Sequence, residues 1–234
     1  MPPGKASMTA RERARASLTA DIKEEARRQL VQVGADGLSL RAVARELGMA
    51  SSALYRYFPS KDDLLTALII DAYDAVGEVA ERAAGTADAR PLERWLVLCR
   101  DIRGWALEHP HEYALIYGSP VPGYRAPQAT IGPASRVPLA LVSLLDGVGS
   151  GERYGAAGAG DVPVPAGLAG QAAALVALLG GSVQADVLLR GILAWAQLYG
   201  MISFELFGQF VGSFEPAEEL FEYGAQQMGL MVGL

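Results

Sequence analysis

Residues 38–61 read LSLRAVARELGMASSALYRYFPSK, and the side chains in this stretch with chemistry to offer are cations, hydroxyls and phenols. Arg41, Arg56 and Lys61 carry positive charge, and Ser39, Ser51, Ser52, Tyr55 and Tyr57 carry hydroxyls. Such a set can donate hydrogen bonds to a polyanion but lacks the paired base and nucleophile of a catalyst. The charge balance points the same way. Residues 1–60 hold ten Lys/Arg against six Asp/Glu, whereas residues 61–234 hold ten against twenty, for a net charge of −6. A basic head on an acidic body implies that the head meets a polyanion and the body does something else.

The elements that would position these residues are helical. Ala, Leu, Glu, Arg and Gln dominate the periodic segments, β-branched alternation is almost absent, and the chain reads as all-α. A first helix is expected from near Thr19 to Val33, with Ile22, Ala26, Leu30 and Val33 on one face and Gly34 as its stop. Ser39 can cap a short second helix, Leu40–Leu47, ended by Gly48. Ser51 can cap a third, Ser52–Phe58, before Pro59. Two short helices joined by a glycine-containing turn, with an amphipathic helix before them, are the signature of a helix-turn-helix. Leu40, Val43, Leu47, Leu54 and Phe58 would supply its core, and the third helix would expose Ser51, Ser52, Ala53, Tyr55 and Arg56. Ser60 opens a fourth helix that reads on to about Ala84, with Asp63 completing a capping-box-like pattern. Further helices are expected over 91–108, 110–117, 134–145, 169–179, 183–209 and 216–231. They are separated by a Pro/Gly-rich break at 118–133 and a Gly/Ala-rich loop at 147–167.

The run ARELGMASSALYRYFPSKDDLL resembles the DNA-binding domain of the tetracycline-repressor (TetR) family over about residues 19–70. The ending Y-x-Y-F-x-x-K-x-x-L is distinctive among helix-turn-helix proteins. The rest of the chain fits that family's all-helical ligand-binding and dimerisation domain, and HPHEYALIYGSPVPGY and WAQLYG are similar to one subgroup of such domains. That subgroup often has His where this chain has Tyr199, so no role for that His is carried over. Residues 1–18 read as a flexible basic arm, and the resemblance implies a DNA-binding domain at 19–65 and a ligand-binding and dimerisation domain at 66–234. By position it places Arg41 in the major groove. It puts Ser51, Ser52, Ala53 and Tyr55 on the base-facing surface with Arg56 beside them, and Ser39, Tyr57 and Lys61 on phosphates. The chemistry agrees: Arg suits guanine O6/N7, and Lys and phenol hydroxyls suit phosphate oxygens.

The charged N-terminal stretch and the lack of an uncharged apolar span imply a cytoplasmic protein, and the Ala/Arg/Gly-rich composition suggests a bacterial one. The resemblance implies a homodimeric repressor on a palindromic double-stranded operator, released by an apolar or aromatic small molecule. The alternatives are an activator of the same fold, or a helical small-molecule-binding protein or enzyme with a vestigial head. Large aromatics at helical spacing are more often core than ligand box, but among them Trp95, Trp105, Tyr113, Tyr117 and Trp195 are the expected pocket residues. Leu220, Tyr223, Gln227 and Leu230 fall near one face of the last helix and are the expected dimer contacts, unless that helix is internal core. Arg11, Arg13 and Arg15 form a charge run of the kind usually left to solvent, its other use being a reach to DNA.

Other chemistries find little footing. His109 and His111 flank Pro110 at a spacing that points them apart on a helix, so no metal site is expected. Cys99, the sole cysteine, excludes an internal disulfide and sits on an apolar helix face as an inert thiol. No Walker A pattern, nucleophile elbow or paired carboxylates occur, so neither enzymatic activity nor a cofactor is expected. The most apolar stretch, 187–207, contains Arg190 and Glu205, so no membrane span is expected.

Overall fold

The computed structural model describes residues 9–85, 89–146, 148 and 163–234. Among the described residues all regular structure is helical: α1 (Ala10–Gly37), α2 (Leu40–Glu46), α3 (Ser51–Leu54), α4 (Lys61–Ala84), α5 (Pro91–Glu108), α6 (Pro110–Tyr117), α7 (Ile131–Leu144), α8 (Ala166–Leu178), α9 (Ala185–Leu206) and α10 (Glu218–Val232). A 3-10 turn at Gln128–Thr130 leads into α7. The loop expected at 147–167 lies largely outside the described residues. The chain forms two compact units, Met1–Ala72 with His111–Thr130, and Tyr73–Pro110 with Ile131–Leu234. Contacts thus group residues 111–130 with the N-terminal head, where the motif-based division at residue 65 assigned them to the second domain.

In the first unit, α1 starts well before its apolar periodicity and corrects the expectation of an arm without structure up to residue 18. Thr9 and Glu12 form a reciprocal capping box: the Glu12 amide donates to Thr9 Oγ1 at 3.2 Å, and the Thr9 amide donates to Glu12 Oε2 at 2.7 Å. Two of the orphan amides at the helix start are thereby satisfied, and the helix begins at Ala10. At the other end Gly34 breaks the helical path at φ 68°, a conformation glycine adopts without a Cβ penalty, as its expected role as a stop requires. Gly48 does the same after α2 at φ 64°.

The helix-turn-helix follows. Ser39 Oγ accepts from the Ala42 amide at 3.4 Å, and the Ser39 amide donates to the buried Gln29 side chain at 3.4 Å. Ile22, Ala26, Leu30, Leu40, Val43, Ala44, Leu54, Phe58, Leu64, Leu65 and Leu68 close one core, which Leu115, Val121 and Tyr124 also contact. Ser51 does not cap α3 as expected: it is the first residue of the helix, Ala50 stands at the N-cap, and no side chain bonds the helix start. Regular α3 ends at Leu54, four residues earlier than expected. Beyond it the chain tightens into bonds three residues apart, Arg56 N to Ala53 O at 3.2 Å and Tyr57 N to Leu54 O at 2.8 Å. Ser60 caps α4 as its sequence implies, with Asp63 N donating to Ser60 Oγ at 3.1 Å.

In the second unit α10 packs on α5 and α9, and α7 and α8 also lie against α9. Trp95, Leu98, Cys99, Ile102 and Trp105 of α5 are buried, as are Phe221, Ala225, Met228 and Val232 of α10 at helical spacing. The Trp95 indole N–H donates to the Ala225 carbonyl at 2.8 Å, which satisfies the one polar atom that burying this side chain brings in. By length and composition α9 could cross a bilayer. Yet its Glu205 accepts two bonds from Arg103, at 2.6 and 2.7 Å, and its Arg190 reaches Asp186 and the Met231 carbonyl. Both charges are held by neighbours within this unit, as in a helix packed against protein.

Candidate nucleic-acid interface

The first turn of α2, α3 and the turn after it present the candidate surface. Arg41 is exposed on α2. Ser51 and Ser52 are exposed at the start of α3, Ala53 is half-buried, and Tyr55 and Arg56 are exposed just beyond. Their exposure follows from local spacing, because Leu54 and Phe58 take the inward positions of the same stretch. Arg41 and Arg56 make no ion pair among the described residues. An arginine left without a carboxylate keeps its planar donor fork available to a guanine edge or a phosphate.

The three residues expected on phosphates are held more firmly. Ser39 is half-buried and its hydroxyl already caps α2. Lys61 Nζ donates to the Asp36 carbonyl at 2.7 Å, which ties the start of α4 to the end of α1 and leaves further ammonium protons for a partner. Tyr57 is half-buried, and its ring carries the guanidinium of Arg15, whose Cζ lies 5.5 Å from the ring centroid. This cation–π contact was not legible in the sequence, because 42 residues separate the partners and the arginine run reads as a solvated arm.

Behind that surface lies an ion-pair cluster that sequence reasoning missed. Arg27 of α1 donates to Asp71 of α4 at 2.7 Å and to Glu112 of α6 at 2.8 Å, and Lys23 reaches Asp71 at 2.7 Å. Tyr124 and Thr66 share a 2.9 Å hydrogen bond. These contacts fasten residues 111–130 to the head.

The expected pocket aromatics divide between the units. Tyr113 and Tyr117 form a tilted pair in the first unit, ring centroids 5.2 Å apart, with Tyr113 fully buried. In the second unit Trp95 joins α5 to α10, Trp105 is buried with its ring 5.7 Å from His109, and Trp195 stands edge-on to Tyr199. The Trp195 indole N–H is buried without a hydrogen-bond partner among the described residues. A groove of about 550 Å³ passes Trp105 and is otherwise lined by Val79, Arg82, Val97, Arg100, Asp101 and Glu108, among others. Burial pushes the Cys99 thiol well above its ordinary range, so it stays protonated and unreactive near neutral pH.

The expected dimer contacts lie along the outward side of α10. Tyr223 and Gln227 are exposed and Leu220 and Leu230 half-buried, while the inward side packs on α5 and α9. Leu193 and Phe204 are exposed on α9.

Fold and surface together define a helix-turn-helix DNA-binding protein with a larger all-helical second part. Residues 22–68 match the family described as bacterial regulatory proteins, tetR family, and residues 95–228 match the tetracyclin repressor-like C-terminal domain. The HTH-type transcriptional regulator Mb1846 of Mycobacterium bovis is 40% identical over 202 residues, 84% of each chain. The crystal structure of protein SCO4313 superposes with a TM-score of 0.76 at 34% identity, covering 94% of this chain and 98% of that one. The HTH-type transcriptional repressor DrrR1 of Streptomyces coeruleorubidus is 34% identical over 95 residues, 40% of this chain and 34% of that protein. The chain belongs to the TetR family of transcriptional regulators. That is a family of regulators rather than enzymes, whose members bind DNA operators and small-molecule ligands and act as dimers.

Proposed function

We propose that this protein is a cytoplasmic, homodimeric repressor that reads a palindromic operator and is released by a small-molecule effector. The observation that carries the reading is the uncommitted surface of α2 and α3. Arg41, Ser51, Ser52, Tyr55 and Arg56 are exposed together over a core that needs none of them. Arg41 supplies the direct base contact, Ser51, Ser52 and Ala53 permit close approach of the helix, and Ser39, Tyr57 and Lys61 set its register on the backbone. The similarity to a protein named as a repressor supports that sign of regulation.

Dimerisation is assigned to the outward faces of α9 and α10, where Leu193, Phe204, Leu220, Tyr223, Gln227 and Leu230 give an apolar strip suited to an isologous bundle. Two heads then demand half-sites ~34–36 Å apart or a multiple of that. The effector is assigned to the second unit. The tryptophans there favour an apolar or aromatic molecule, and the indole N–H of Trp195, unpartnered among the described residues, is a donor for an acceptor atom on it. Effector binding acts through α4, which contributes residues to both units, and favours a head spacing that cannot engage both half-sites.

The test is a fluorescence-anisotropy titration with duplex from directly upstream of the protein's own coding sequence, competed with random duplex at physiological salt. Binding ~10³-fold tighter than to random DNA is expected. Equal affinity for both duplexes would remove that DNA as the operator, and equal affinity for all fragments of a genomic library would remove the sequence-specific reading. Leu220→Glu or Leu230→Glu is expected to give monomers in sedimentation, and an intact dimer would move the interface elsewhere.

A further inference from the structure

We propose that the first two turns of α1 form a second DNA-contacting strip, in which Arg11 and Arg15 hold backbone phosphates beside the recognition helix. The inference rests on the DNA-binding role of the head and adds to it residues outside the helix-turn-helix motif.

The starting observation is a helix that buries nothing. Residues 9–17 are all exposed, yet they are helical from Ala10 and capped by Thr9 and Glu12. An isolated segment this short gains too little from its own hydrogen bonds to be stable. It persists here as an extension of the packed part of α1, and burial gives no reason for it. What it does carry is Arg11, Arg13 and Arg15 against one acid, and that acid, Glu12, is held by the Thr9 amide and hydroxyl.

The second observation fixes a direction. Arg15 lies over the ring of Tyr57, in the turn that follows α3. The strip therefore begins at the flank of the recognition surface. The attraction of a cation to an aromatic face uses its charge and not its N–H groups, so the contact positions the Arg15 guanidinium and leaves its donors for a partner. Arg11 lies one turn further out, ~6 Å along the axis and rotated only ~40° from Arg15, whereas Arg13 points ~160° away. Two cations on the side that meets Tyr57 match successive anionic groups on a strand. Phosphates carry such charge along the DNA flank, and contacts to them add affinity without reading sequence.

The experiment compares Arg11→Gln, Arg15→Gln, the double variant and Arg13→Gln in the full-length protein. Each is titrated against the upstream duplex and a random-sequence duplex across a range of salt concentrations. Glutamine keeps helix propensity, and circular dichroism checks the fold. The double variant is expected to flatten the slope of log affinity against log salt by about 1–2 on both duplexes, and Arg13→Gln by clearly less. Hydroxyl-radical footprints should lose protection at the outer edge of the site with the double variant only. Arg15→Lys, which keeps the charge but loses the planar donor fork, should fall between wild type and Arg15→Gln. Unchanged slopes in the folded double variant would overturn the proposal. So would equal losses in the Arg13 and Arg15 variants, since general electrostatics does not care about helix face. Failure of the unaltered protein to bind either duplex would instead overturn the DNA-binding role beneath it.

Discussion

The arginines that join the helices of the second unit and those on the recognition surface of the first serve opposite ends. In the second unit Arg100 grips Glu222 with two bonds of 2.6 and 2.7 Å, Arg103 grips Glu205, and Arg136 spans Asp74 and Glu81. On the outer face of the first unit Arg11, Arg41 and Arg56 stand exposed without an ion pair among the described residues. Paired arginines lock helices together, whereas unpaired ones are held ready for an anion from outside. Arg27 shows the first use inside the first unit as well, so the contrast follows the surface and not the unit. Net charge alone would have hidden this, since it counts a committed arginine and an available one alike.

The contrast breaks most visibly at Arg103. Its side chain and that of Glu205 are 17% and 16% exposed, and its guanidinium also lies 5.1 Å from the Phe221 ring centre. Arg103→Ala should cost about 3 kcal/mol of unfolding free energy, because it strands a half-buried carboxylate. Urea denaturation measures the loss, and DNA affinity well below the unfolding transition should not change. Arg41→Ala should do the reverse. Its stability should stay within ~0.5 kcal/mol of wild type, while specific binding weakens by ~1–3 kcal/mol and one operator position relaxes. Equal losses on specific and random duplexes would remove Arg41 from base reading.

Lys61 sharpens the comparison because it has both roles. Lys61→Ala should lower affinity on every sequence and flatten the salt slope by about 1, and it should also lose the bond to the Asp36 carbonyl. A shift in thermal midpoint without any change in slope would make it purely a structural lysine. The smallest effect is expected at Glu222. Its bonds with Arg100 hold its carboxyl below the usual 4.5. A lowered folded-state value means that the stabilisation is complete above that pH and is lost as pH falls through the lowered value. Glu222→Gln should therefore destabilise slightly near neutral pH, by under ~1 kcal/mol for so exposed a pair, and should differ least from wild type in acid below the lowered value. Urea midpoints at neutral and acid pH check this, and a gap that does not narrow in acid would deny the pair any share in stability.

Much of the head was legible in sequence because its determinants are local. Ser39 and Ser60 cap the helices they precede, Gly34 and Gly48 take the positive φ their positions ask for, and Leu40, Val43, Leu54 and Phe58 turn inward by helical spacing. Local chemistry was also misjudged: Ser51 opens α3 without capping it. The Thr9–Glu12 cap lies upstream of the apolar pattern and was hidden in a charge run, and α3 tightens after Leu54 where periodicity alone continues a helix. The aromatic residues were the least legible, since periodicity marks a ring as inward-facing without saying what it meets. Only the fold shows Trp95 joining α5 to α10, and Tyr113 and Tyr117 belonging to the unit that contains the head.

By itself, then, the sequence determined the helical class, the helix-turn-helix and the identity of the side chains it turns outward. Caps, turns and apolar spacing act within a few residues and need no partner from elsewhere in the chain. Only the tertiary structure decided which arginines are committed, and that residues 111–130 join the head. It also set Arg15 against Tyr57. Arg27 meets Asp71 and Glu112 across 44 and 85 residues of chain, and Arg103 meets Glu205 across 102. Ion pairs and stacking fall off over a few ångströms in space whatever the separation in sequence, so they exist only once the packed helices have brought the partners together.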